Sequence, residues 1–341
     1  MKLRALVLLA LGLGLCAARP VHAEPSIWQR AHQPELTRNQ QLLNRIERLL
    51  GTVGLPELNA EFSAGAVALF QLSDGRFRCG DSADPKAALD PRLEYLIGGA
   101  LVQAEIQRET DARCLLERAL RDAPQSPLAA QGYFNLALAA GKLGDRKAER
   151  AAYLRALEIT WDPDMRANTY GNLAESDMGA GDLRRAVREY RMALASSQQP
   201  DIVALAYYGL AVALDRSGDL PSALDAAKRA LSVQLPPTVF SAPSVLDLPS
   251  VSFTPSYEIH YYKALGAMAL AASAKDDALR RAALADAAEH WSAYLVRAEI
   301  ERTPWVQAAK LHQASVARAL EKLGPAREKP PESTEESAPP L

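Results

Sequence analysis

The sequence predicts an all-α protein built from stacked helical hairpins, and three observations support this fold class. Landmark residues recur every 37 positions through the middle of the chain, which is typical of a tandem repeat. Within each interval a Gly-Asp pair separates two stretches whose apolar residues have helical spacing. Aromatic residues make up only 6% of an alanine-rich chain, so close-packed helices are favoured and almost no β-strand is expected. The recurring landmarks are Gly144-Asp145, Gly181-Asp182 and Gly218-Asp219; Tyr133, Tyr170 and Tyr207; Leu136-Ala137, Leu173-Ala174 and Leu210-Ala211; and Ala156-Leu157, Ala193-Leu194 and Ala230-Leu231.

The second clear repeat shows why each interval should form two antiparallel helices. Gly181 can adopt the left-handed conformation that ends the first helix, and Asp182 can cap the second helix through its carboxylate. The small side chains of Ala174 and Ala186 allow the paired helices to approach closely, while Tyr190 fills the space toward the next repeat. The apolar stripe of the second helix comprises Leu183, Ala186, Val187, Tyr190, Ala193 and Leu194.

These landmarks resemble the tetratricopeptide repeat family. The aromatic, Leu-Ala, Gly-Asp, Ala, Tyr and Ala-Leu positions of residues 170–194 fall at the separations that this family uses, and residues 130–235 match in three successive units. The resemblance implies a solenoid with a right-handed superhelix. Two positions depart from it, since Glu149 replaces a helix-packing alanine and Ala227 replaces a larger aromatic residue. The period of 37, against about 34 for the family, implies longer links between repeats.

The array is expected to span residues 91–235, with one degenerate repeat before the three clear ones. Ala119-Leu120 lies one interval before Ala156-Leu157, but Gly99 stands where later repeats carry leucine, and Gln107-Arg108 replaces Gly-Asp. Terminal repeats are commonly atypical because they lack one neighbour.

Residues 1–23 have the pattern of a secretory signal peptide. Lys2 and Arg4 precede an apolar run over 6–16, and small side chains flank a cleavage position after Ala23. A periplasmic or secreted protein is therefore predicted. A retained membrane anchor is the first alternative, although the run is shorter than the roughly 20 residues that cross a bilayer. Lipidation at Cys16 is the second, although lipoprotein signals place a small residue where Leu15 stands.

The mature chain is mildly acidic. Cleavage removes three of the 39 basic residues and leaves 36 against 41 acidic ones, a formal charge of −5. This balance argues against nucleic acid and anionic lipid as ligands. No later stretch is apolar enough to span a membrane, so the cleaved protein is not expected to be an integral membrane protein.

The segment 24–90 is predicted to be mostly helical. Within it, residues 62–72 fit either a short helix or a strand. Cys79 and Cys114 remain in an oxidising compartment after cleavage. They could form a disulfide or stay separate thiols, because the sequence gives no distance between them.

Residues 236–256 are predicted to be a proline-rich, apolar loop that lies against the helices. Two interpretations stay open, a functional loop and a packed connector that covers an apolar ridge. Residues 257–323 are expected to form a further helical repeat and a capping helix. Residues 324–341, rich in Pro, Glu and Ser, are expected to be disordered. The prolines of the loop are Pro236, Pro237, Pro243, Pro249 and Pro255.

The sequence contains no motif that predicts catalysis. It lacks a phosphate-binding Gly-x-x-x-x-Gly-Lys loop, a Gly-x-Ser-x-Gly elbow and a His-Glu-x-x-His helix. We therefore predict a non-enzymatic protein with no catalytic residues, no cofactor and no metal ligands. The histidines beyond residue 23 show no metal-ligand spacing, and His290 beside Trp291 is interpreted as a packing residue. These histidines are His32, His260, His290 and His312.

The resemblance implies that a protein or peptide partner binds in a groove lined by the first helix of each repeat. Amides there could pair with a peptide backbone, and aromatic residues could anchor a side chain. None of the predicted residues is basic, which disfavours capture of a C-terminal carboxylate. They are Gln131, Phe134, Asn135, Leu138, Asn168, Asn172, Glu175, Tyr208, Val212 and Asp215. The predicted function is an exported scaffold or adaptor of the bacterial cell envelope. The alternative is a small-ligand carrier or sensor whose groove is closed by residues 236–256, and a cryptic hydrolase ranks last.

Overall fold

The computed structural model describes residues 91–103, 109–235, 244–248, 251 and 253–324. Contacts divide the chain into two compact units, Met1–Thr169 and Tyr170–Leu341. All regular structure in the described ranges is helical, which confirms the all-α prediction for them. The predictions for the signal peptide, for residues 24–90, for Cys79 and for the tail beyond Gly324 lie outside the described residues.

The first unit consists of helices that pack as neighbouring pairs. Contacts join α1 to α2, α2 to α3, and α3 to α4, and α1 also contacts α3. Tyr95 is buried against Gly132, where an added Cβ would lie 2.4 Å from the tyrosine ring. Cys114 is disulfide-bonded. The helices are α1 (Pro91–Gln103), α2 (Glu109–Asp122), α3 (Ala129–Lys142), α4 (Arg146–Ile159) and the start of α5 (Pro163–Gly179).

Gly141 explains how this unit accommodates Glu149, which departs from the repeat pattern. A Cβ on Gly141 would lie 2.8 Å from a Glu149 carboxylate oxygen, so the glutamate occupies the space that the missing side chain leaves. A larger residue on one helix is thus matched by the smallest one on its partner.

The second unit continues the pairwise packing. Contacts join each helix from α6 to α11 to the next, and α7 also contacts α9. Its core contains an aromatic cluster in which the Tyr261 ring meets the rings of Trp291 and Tyr294 edge to face, with centroids 4.8 and 5.0 Å apart. The helices after α5 are α6 (Leu183–Ser196), α7 (Pro200–Arg216), α8 (Leu220–Ser232), α9 (Ile259–Ser273), α10 (Asp277–Glu301) and α11 (Val306–Leu323), with 3₁₀ turns at Val245–Asp247 and Ser256–Glu258.

The three Gly-Asp pairs form the helix-ending turns that the sequence predicts. Gly181 has a φ of 84° and its N–H donates to the carbonyl of Met178, while the Asp182 N–H donates to the carbonyl of Asp177. This is the Schellman arrangement. The Asp182 carboxylate then accepts from the backbone N–H of Arg185 and caps α6. Gly144-Asp145 and Gly218-Asp219 repeat the same turn and cap.

Removing the α6 cap should lower stability by a modest, measurable amount. We expect Asp182→Ala to reduce the free energy of unfolding by about 1 kcal/mol, because the first turn of α6 loses an acceptor. Asp182→Asn keeps an oxygen in the capping position and serves as the control. Urea denaturation followed by circular dichroism measures both variants. Equal losses in the two would show that the carboxylate charge, and not the capping bond, stabilises the turn.

The described part of residues 236–256, here termed the connector, packs against the helices of the second unit. Val245, Leu246 and Leu248 are almost fully buried in the core of the second unit. The Phe253 ring packs edge to face on Tyr262, with ring centroids 4.9 Å apart. The prediction that this segment lies against the helices is confirmed for these residues.

Candidate functional site

In the first unit, three of the predicted groove residues keep accessible side chains on α3. Gln131 is exposed, while Phe134 and Leu138 are half-buried. The Gln131 amide donates to the side-chain oxygen of Asn135 over 3.3 Å, and Asn135 itself is buried. The Phe134 ring meets Tyr153 edge to face at 5.8 Å. Asn168, on α5, is exposed.

In the second unit, most of the predicted groove residues are covered. Tyr208, Val212 and Asp215 on α7 are 4%, 0% and 5% exposed. The connector contributes to this burial, because Val245–Asp247 contacts α7 and Ser244 lies near the Tyr208 hydroxyl. The three side chains therefore do not form the accessible surface that the sequence predicts. On α5, Asn172 is half-buried and Glu175 is exposed.

Asp215 anchors two distant helices onto the end of α7. Its carboxylate accepts a hydrogen bond from the Tyr261 hydroxyl on α9 at 2.5 Å. His312 on α11 places Nε2 2.9 Å from the other carboxylate oxygen. The hydrogen bond with His312, at 3.0 Å, is directed to the oxygen that also accepts from Tyr261, so this buried carboxylate has two hydrogen-bond partners.

Arg216, the next residue, forms a second buried network, which shares Tyr261 with the first. Its side chain is 4% exposed and pairs with Glu258, whose side chain is 14% exposed. The guanidinium carbon lies 4.7 Å from the ring centroid of Tyr261 and 4.9 Å from that of Trp305. Two aromatic faces at this distance stabilise a cation that has lost its water. Burial is the largest single influence on the pKa of Arg216 and acts to lower it. The Glu258 charge and the neighbouring tyrosines together outweigh burial and raise the pKa, so the group stays charged.

Glu175 is the accessible acidic group beside this network. It accepts a hydrogen bond from the Tyr262 hydroxyl on α9. Burial raises the pKa of Glu175, and the Tyr262 hydrogen bond opposes that rise. The residue nevertheless keeps more than a third of its surface exposed, so its loss of hydration is partial. The buried hydroxyl of Tyr190 also lies near Glu175, without a well-directed hydrogen bond.

Sequence reasoning did not find these networks because their members are far apart in the chain. Tyr261 lies 46 residues from Asp215, His312 lies 97 residues from it, and Glu258 lies 42 residues from Arg216. An Asp-Arg pair before Ser217-Gly218 has the pattern of an ordinary solvated helix end.

The second unit thus uses its buried polar groups to fasten helices together. Side chains of the same unit pair with both carboxylates: Tyr261 donates a hydrogen bond to Asp215, and Arg216 forms an ion pair with Glu258. No cluster of three or more metal-ligating side chains occurs in the part of the chain that the structure describes. Among the same residues, no helix is both long and apolar enough to cross a membrane.

Together the two units define an all-α protein whose helices pack as neighbouring pairs. No protein-family model and no curated protein matches the chain. Among solved structures it is similar to the crystal structure of BtubC (BKLC) from P. vanneervenii, with 20% sequence identity and a TM-score of 0.41. That match covers 64% of this chain and 99% of the other. A likeness of this size supports no functional conclusion.

Proposed function

We propose that this chain is an exported, non-enzymatic scaffold of the tetratricopeptide type that binds a protein or peptide partner in the bacterial cell envelope. The observation that carries the proposal is the threefold recurrence of one turn geometry, a left-handed glycine followed by a capping aspartate, at a spacing of 37 residues. Stacked hairpins of this kind present extended surfaces and bind partners.

In this proposal the partner binds to the surface of α3 in the first unit. Gln131 offers an exposed amide that can pair with an extended peptide backbone. Phe134 lies three residues after Gln131, close to one helical turn further along the same face, and keeps part of its surface accessible. An aromatic side chain held by Tyr153 is a suitable anchor, because little side-chain entropy is lost on binding. Tyr208 is no longer part of the proposed surface, since it is buried.

Partner capture should depend on these two α3 side chains. The experiment is affinity purification of tagged residues 24–341 from the native envelope after mild crosslinking, with mass spectrometry of the retained proteins. We expect Gln131→Ala/Phe134→Ala to reduce capture of a specific partner by about tenfold or more, since loss of a central anchor costs about 1–2 kcal/mol or more.

Leu154→Ala is the matched control for this measurement. Leu154 is an apolar side chain of the same unit, on α4, and is 41% exposed. It should capture the partner as well as the unchanged protein does. Equal capture by the unchanged protein, the double variant and Leu154→Ala would show that the partner does not bind at these α3 side chains. Melting curves establish that the double variant is folded before the comparison is made.

A small-ligand carrier is the second candidate. The observation that favours it is the burial of Tyr208 and Val212 on α7, the helix that the connector contacts, since the carrier hypothesis requires the groove to be closed by that segment. Recovery of the protein alone after crosslinking, together with a small molecule detected by native mass spectrometry, would favour this candidate over the scaffold.

A further inference from the structure

Two histidines face each other across the α9–α10 hairpin. Nδ1 of His260 lies 3.2 Å from Nδ1 of His290, and the ring centroids are 5.3 Å apart. Both residues are half-buried, and the His290 side chain is 18% exposed. The pair belongs to none of the buried networks around Asp215 and Arg216, and the proposed scaffold function does not use it.

Asp286 lies behind one of the two rings. It lies one helical turn before His290 and places a carboxylate oxygen 3.6 Å from Nε2 of that residue. A carboxylate on this side favours a proton on Nε2, which leaves a lone pair on Nδ1. Metal-binding histidines commonly have such a carboxylate partner behind the ring.

The separation of the two Nδ1 atoms matches that of two ligands on one metal ion. Zinc binds imidazole nitrogen at about 2.0–2.1 Å, so two tetrahedral ligands lie about 3.3 Å apart. A hydrogen bond between the two Nδ1 atoms gives a similar distance, but one ring then carries the proton and only the other offers a lone pair to a metal ion. Both residues keep part of their surface exposed to solvent, from which water or another ligand can complete the coordination shell.

We infer that His260 and His290 form an open, two-imidazole site for a late first-row divalent metal ion. Imidazole suits Cu²⁺, Ni²⁺ and Zn²⁺, and affinity should be highest for Cu²⁺. With two protein ligands the remaining positions are taken by water or by an exogenous group. Such a site differs from a closed structural site, in which protein side chains supply all four ligands.

Titration calorimetry with CuCl₂ and with ZnCl₂ tests the inference on the full mature chain. We expect one ion per chain, with tighter binding of Cu²⁺. His260→Gln and His290→Gln should each weaken Cu²⁺ binding by at least about tenfold, because even changes behind a ligand cost about 10–100-fold in affinity. His32→Gln, which removes a histidine outside the pair, is the control and should leave the affinity unchanged.

Electron paramagnetic resonance of the Cu²⁺ form supplies an independent readout. Coupling to two imidazole nitrogens is expected in the unchanged protein and coupling to one in each single variant. The inference fails if no ion binds, or if the His260→Gln/His290→Gln variant binds Cu²⁺ as tightly as the unchanged protein. Melting curves without metal show that each glutamine variant is folded.

Discussion

Arg216→Met is expected to lower the free energy of unfolding of the second unit by about 3–5 kcal/mol. The substitution leaves the Glu258 carboxylate, 14% exposed, without its cationic partner. It also removes the cation from between the rings of Tyr261 and Trp305. Methionine keeps most of the side-chain volume, so the lost free energy of unfolding comes mainly from the unpaired Glu258 charge and less from a cavity. Urea denaturation followed by tryptophan fluorescence measures it, since Trp291 and Trp305 lie in this unit.

Arg229→Met provides the matched control, because it breaks an ion pair of the same kind on the surface. Arg229 bonds Asp225 at 2.8 Å, and both side chains are about 60% exposed. Such pairs contribute about 0–1 kcal/mol, so this variant should be nearly as stable as the unchanged protein. If both methionine variants lost the same small amount, the buried pair would not hold the unit together. Adding Glu258→Gln to Arg216→Met should recover part of the loss, because no unpaired charge then remains buried.

Gly209→Ala is expected to destabilise the second unit by about 1–3 kcal/mol. A Cβ at this position would lie 2.2 Å from the ring atoms of Tyr190, and that ring is 2% exposed and surrounded by core. Neither the α7 backbone nor the tyrosine can move without disturbing the packing of α6 against α7. The gain in helix propensity from glycine to alanine, about 1 kcal/mol, offsets only part of this cost.

Gly171→Ala should have the opposite sign, because nothing lies within 4 Å of a Cβ added there. We expect this helical substitution in α5 to stabilise by about 0.5–1 kcal/mol. In a Tyr190→Ala background, Gly209→Ala should no longer destabilise, and a double-mutant cycle gives the coupling between the two positions. A full penalty in that background would show that Gly209 is required for a reason other than the Tyr190 ring. Thermal and urea unfolding of the four variants measure these differences.

The local features of the fold could be read from the sequence because neighbouring residues determine them. Gly181 ends a helix and Asp182 caps the next one through bonds that span at most five residues. The prediction that Tyr190 fills the space toward the next repeat is confirmed by its contact with Gly209. A repeated pattern makes such contacts predictable, because each hairpin meets the same surface on the next.

The candidate site was harder to predict, because accessibility depends on segments outside the repeats. Tyr208 and Val212 have the helical phase of groove residues, yet the connector and α9 bury them. Gln131 and Phe134 keep accessible surface in the first unit. The histidine spacing in the sequence argued against a metal site, but the α9–α10 hairpin brings two rings together across 30 residues.

The sequence alone determined the helical class, the repeat period, and the turns and caps that divide the helices, since these depend on propensities and hydrogen bonds within a few residues. Only the tertiary structure decided which polar side chains are buried together, which of the predicted groove residues stay accessible, and where two imidazoles meet. Those properties depend on contacts between residues 30–97 positions apart. Helical phase can orient a side chain, but it cannot show which distant segment will cover that side chain when the hairpins pack.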